Sequence, residues 1–210
     1  MSATPHFWRS SMTLRLLRPA LGLAAALVPS IAFAHTGHGD TVGFAAGAGH
    51  PVDGLDHVLA MVMVGVFAFQ LGGRAVWLVP ATFVGVMAAG GALGMAGVNL
   101  PFVETAIALS VIVLGAAVAF GVKAPVAAAM ALVGAFAVFH GYAHGAEMPG
   151  AAGGAAYAAG FMLATAALHA LGVGFGATCG QLARIYGPLA TRAAGAAAGL
   201  AGVAILVGAA

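Results

Sequence analysis

The chemistry open to this 210-residue chain rests on eight histidines and five carboxylates, most of them in two short clusters. The first is His50-Pro51-Val52-Asp53-Gly54-Leu55-Asp56-His57, and the second is Phe139-His140-Gly141-Tyr142-Ala143-His144-Gly145-Ala146-Glu147. In the second, His140 and His144 are four residues apart and Glu147 follows three later, so one continuous helix puts all three on one face. On a helix, His50, Asp53 and His57 fall within about 60° of one another. Asp56 lies to one side, where it either binds an ion at the edge of the site or holds an imidazole from behind. Glu104 adds a carboxylate near the start of a later apolar run, and His35 and His38 lie upstream of the first cluster. Two histidine pairs with carboxylates suit a borderline divalent transition metal, because imidazole favours nickel, copper, zinc, cobalt or iron over calcium and magnesium. The one cysteine, Cys179, is far from both clusters, which argues against a thiolate site. Ligand types alone leave the choice among first-row ions open. His169 stands apart, deep in an apolar run with Thr165 one turn before it. It reads either as a satisfied interhelical hydrogen bond or as a second stop on an inward path.

The elements that must position these groups are membrane helices. Hydrophobic residues make up 62% of the chain and charged residues 6%, and the mean hydropathy is +1.07. Soluble domains carry about 25% charged residues. So few charges exclude a cytosolic enzyme, a disordered chain and a phosphate-tracking nucleic-acid binder. The apolar runs predict six spans at 53–72, 75–97, 101–121, 124–145, 154–176 and 188–209, each near the length that crosses a bilayer. The expected fold is all-α, a polytopic membrane bundle of six transmembrane helices. The 33 glycines fit close helix packing, with Gly141 and Gly145 letting another backbone approach the second cluster.

Residues 1–34 read as a cleaved signal peptide: Arg9, Arg15 and Arg18 without an acid, a short apolar run broken by Pro29, then Ala32-Phe33-Ala34. Residues 35–210 are then the mature domain, with His35 as a new N-terminus whose α-amine and imidazole form a bidentate chelate. That start lies outside the cytoplasm. The loops expected inside hold Arg74, Lys123 and Arg184, with Arg192 nearby, and the outer loops hold no Lys or Arg. The positive-inside rule agrees. Six spans return the C-terminus to the outside. Without its three leader arginines, the chain's seven Lys+Arg become four against five Asp+Glu, so the formal charge falls from +2 to −1.

The two clusters together resemble the signatures of the HupE/UreJ family of hydrogenase and urease accessory membrane proteins. The first signature, HPxxGxDH, falls on His50, Pro51, Gly54, Asp56 and His57; the second falls on His140, Gly141, His144, Gly145 and Glu147. The resemblance runs from about His35 to the end. It implies a secondary permease of the bacterial cytoplasmic (inner) membrane for Ni²⁺, or in some members Co²⁺, supplying hydrogenase or urease maturation machinery. His50, Asp56, His57, His140, His144 and Glu147 would hold the ion, His35 and His38 would capture it, and Asp53, Glu104 and His169 would support the site or the path. The residues by themselves also allow an intramembrane metalloenzyme, a bis-histidine haem protein, or a metal-sensing or delivery subunit without transport. No nucleotide-binding loop is present, which disfavours ATP-driven transport.

Overall fold

The computed structural model describes residues 39–148, 153–181 and 186–208. The expected signal peptide, His35, His38 and Arg184 lie outside the described residues. Among the described residues there are seven helices and no strand: α1 Gly39–Asp53, α2 Leu55–Leu71, α3 Ala75–Met95, α4 Val103–Ala119, α5 Val126–Ala146, α6 Gly154–Gln181 and α7 Tyr186–Leu206. The chain is an all-α polytopic membrane bundle.

The surface says why. In α3, α5, α6 and α7 the most apolar 18-residue windows have hydropathies of 1.6–1.8, yet only 22–33% of each window is buried within the protein. Trp77, Leu163, Leu171, Leu189 and Leu200 all face outward. A helix that is apolar on every side while only part of it meets protein is solvated by lipid on the remainder. These four helices are each long and apolar enough to cross a bilayer. At 17 residues, α2 and α4 are shorter than the expected spans they occupy.

The start of the first expected span differs from the sequence reading. Residues 39–53 form a separate helix, and α2 leaves it at 84°. Pro51 lies in the last turn of α1 instead of opening a span, where its missing N–H removes a helical hydrogen bond. Gly54 follows in extended conformation, φ −103° and ψ 121°. His50 and His57 therefore sit on two helices at a corner, and the single helical face that grouped them with Asp53 does not exist.

Pairing is set by small residues. α3 packs on α5, α4 on α7, and both α1 and α2 on α6. On the α3–α5 seam, a Cβ at Gly141 would run into the Met87 carbonyl, and one at Gly145 into the Gly91 carbonyl. The backbones touch there because both motif glycines lack a side chain. Gly141→Val is expected to lower thermal stability in detergent by at least about 1–3 kcal/mol, the usual cost of overpacking. An unchanged melting midpoint would mean that the seam is not close-packed.

Charges are sorted along the bundle axis. Asp53, Asp56, Glu104 and Glu147 lie at the end that carries both motifs. Arg74, Lys123 and Arg192 lie at the other, where Lys123 Nζ donates to the Gln70 carbonyl at 3.0 Å and Arg192 packs beside Gly121.

Candidate metal centre

The first cluster is built at the α1–α2 corner. Asp56 stands in the first turn of α2, where a carboxylate is favoured by the free N–H groups of the helix start. Its Oδ1 accepts the His57 backbone N–H at 2.7 Å and pairs with His57 Nδ1 at 2.8 Å. A carboxylate only accepts, so Nδ1 carries the proton and Nε2 keeps its lone pair. Through Oδ1, Asp56 is placed to orient the His57 imidazole. Gly54 leaves room for that pair. A Cβ there would stand 2.7 Å from Asp56 Oδ1 and 3.1 Å from His57 Nδ1.

The second cluster lies on the last turns of α5. The helix carries His140 and His144 and is continued by Glu147, whose N–H bonds to the Ala143 carbonyl at 3.1 Å. His140 is fully buried. Ser110 of α4 donates its hydroxyl to the Ile107 carbonyl at 2.6 Å, so its oxygen accepts from His140 Nε2 at 2.9 Å. That bond leaves the lone pair of His140 on Nδ1.

The two clusters meet. The His57 ring centroid lies 4.8 Å from His140 and 4.4 Å from His144, and His50 lies 4.7 Å from His144. His50 Nε2 is 3.0 Å from Glu147 Oε2. That pair is half exposed and worth little as a salt bridge, so its significance is positional. One ligand atom from each of His50, His144 and Glu147 lies within 4.8 Å of the others. His57 Nε2, His140 Nδ1 and both nitrogens of His144 are buried without a hydrogen-bond partner. Leaving a buried polar atom unpaired costs about 1–3 kcal/mol. With His57 set against both His140 and His144, these imidazoles form a destabilised arrangement that a cation accepting their lone pairs would relieve. A cavity of about 80 Å³ adjoins His144, lined also by Met87, Tyr157, Phe161 and Met162.

Asp53 and Glu104 are exposed, and no hydrogen bond or ion pair among the described residues ties either to the histidines. His169 lies away from the cluster on α6. Three contributors were not singled out from sequence. Ser110 sets the His140 tautomer, and its signal was available, because it is the only serine after Ser30. The Phe161 ring lies 3.9 Å from His144, tilted by 48°, and Phe83 stands 5.5 Å from His140; nothing in an apolar sequence separates them from ordinary core residues.

Fold and site together define a polytopic membrane protein with a histidine–carboxylate cluster built into one end of its bundle. The sequence profile described as HupE / UreJ protein matches residues 23–205. The chain is also 53% identical over 187 residues to Protein HupE of Rhizobium leguminosarum bv. viciae, covering 89% of this chain and 95% of that protein. It belongs to the HupE/UreJ family. No solved structure matches it.

Proposed function

We propose that the protein is a secondary permease that carries Ni²⁺, with Co²⁺ as an alternative cargo, inward across the bacterial cytoplasmic membrane for hydrogenase or urease maturation. The observation that carries this reading is that His57 of α2 lies against both His140 and His144 of α5, with the free ring nitrogens of His57 and His140 set by Asp56 and Ser110, beside the His50, His144 and Glu147 ligand atoms that lie within 4.8 Å of one another. Imidazole donors with a nearby carboxylate match a divalent first-row ion. The acidic end of the bundle faces outward in this reading, so its field concentrates cations where the site opens. His35 and His38, after removal of residues 1–34, capture the ion. His50 and Glu147 take it next, at the exposed rim, and the buried imidazoles replace more of its water shell. Moving two charges inward gains about 4–5 kcal/mol per 100 mV, at about 2.3 per charge. The protein acts as a transporter, with no catalytic turnover.

The test is nickel accumulation by whole cells at submicromolar external nickel, with and without the chain, and with cobalt as competitor. The expected result is accumulation that depends on the chain and falls as cobalt rises. Equal nickel content with and without the chain would remove the reading. Turnover of a lipid or peptide substrate without metal entry would replace it with a metalloenzyme.

A further inference from the structure

We infer that His169 is a second stop for the translocated ion, separated from the outer cluster by the ring of Phe83. The inference rests on the permease reading and extends it inward. His169 is 2% exposed, and both of its ring nitrogens are buried without a partner. The partner expected one turn away is engaged elsewhere: Thr165 Oγ1 donates to Met87 Sδ at 3.8 Å. A neutral imidazole held in an apolar bundle with neither its N–H nor its lone pair used is costly to keep. It is, however, a ready ligand for a borderline cation.

Its place continues the outer file of rings. Phe83, fully buried on α3, meets His169 edge-on at 5.2 Å and 84°, and its ring also lies 5.5 Å from His140. His169 is eight residues beyond Phe161 on α6, about 12 Å deeper at 1.5 Å per residue. Phe161 is the residue whose ring meets His144. The depth at His169 is set by backbone contact, since a Cβ at Gly65 of α2 would strike the His169 carbonyl. On the outer face of α3 and α6, His169 also borders an open apolar groove of about 560 Å³ whose other lining residues include Val76, Pro80 and the outward-facing Trp77. Pro80 has no N–H to give the Val76 carbonyl, so a backbone acceptor is released from helix bonding on the same wall. An ion leaving His140 therefore finds its next nitrogen one aromatic ring away. Rotation of Phe83 is the movement that would connect them.

The experiment compares the purified full-length protein with its His169→Gln and His169→Ala variants. Co²⁺ is titrated in detergent and followed by its visible absorption, and ⁶³Ni²⁺ uptake is measured in proteoliposomes. The expected result is one Co²⁺ equivalent fewer for each variant than for the unsubstituted protein, with affinity for the remaining binding changed less than twofold. Uptake should fall at least tenfold in both variants. His169→Gln keeps the volume and a hydrogen-bonding group, so loss in both variants separates ligation from packing. The same Co²⁺ stoichiometry in all three proteins, or uptake by His169→Gln at the original rate, would overturn the second stop and leave the outer site standing. Failure of the unsubstituted protein to transport would remove the permease reading, and the Co²⁺ titration would still decide whether His169 binds.

Discussion

Nickel accumulation is expected to fall below detection, at least about a hundredfold, when His57 or His140 is replaced by alanine. The protein should remain in the membrane at its normal level. These two imidazoles hold the most completely prepared lone pairs. His57 is fixed from behind by Asp56, and His140 by Ser110. Neither helix depends on them. Truncating a buried side chain leaves a cavity that costs about 2–5 kcal/mol in apolar cases. Here the same change also removes a buried unpaired nitrogen, whose cost of about 1–3 kcal/mol offsets part of that loss. His140→Gln, which keeps most of the volume, serves as the control for packing. Immunoblotting of membranes beside ⁶³Ni²⁺ counting checks the prediction. Normal accumulation by both alanine variants would remove the proposed centre.

The second large effect is expected at Asp56, whose Oδ1 is bonded to His57. Asp56→Ala should weaken nickel binding by about 10–100-fold, the usual range for losing the group behind a metal-binding histidine. Without Oδ1, His57 loses the acceptor that keeps the proton on Nδ1, and the ring is free to turn. Gly54→Ala should reproduce part of the loss without touching either side chain, because its methyl would stand 2.7 Å from that oxygen. Equilibrium binding of ⁶³Ni²⁺ to the purified protein measures both. If Gly54→Ala bound as the parent does and Asp56→Ala lost everything, Asp56 would be a direct ligand.

These expectations draw unequally on sequence and structure. The membrane class was legible from composition, because a chain with 6% charged residues cannot clothe a soluble surface. The second cluster was legible because it is local: His140, His144 and Glu147 occupy one stretch of helix, where spacing determines facing. The first cluster was legible as a motif but misplaced in space. Helical spacing was extended through Gly54, where the chain turns by 84°. α1 has little intrinsic helical signal because Gly39, Gly43, Gly47, Gly49 and Pro51 all disfavour a helix. It is held against α6, where the Phe44 carbonyl fits over Gly160 and the Tyr157 carbonyl over Gly47. Long-range partners were the least accessible. Ser110 reaches His140 across 30 residues, and Thr165 turns to Met87 instead of to the histidine one turn away. Both choices are made by helix packing, which local spacing does not encode.

The central claim is that this chain alone moves nickel across a bilayer through the histidine cluster. It is tested most directly with the purified protein in sealed proteoliposomes, under an imposed inside-negative potential, by counting trapped ⁶³Ni²⁺. Uptake should exceed that of protein-free vesicles, rise with the potential and vanish with His57→Ala. Nickel entry no greater than in protein-free vesicles, or entry unchanged by His57→Ala, would contradict it.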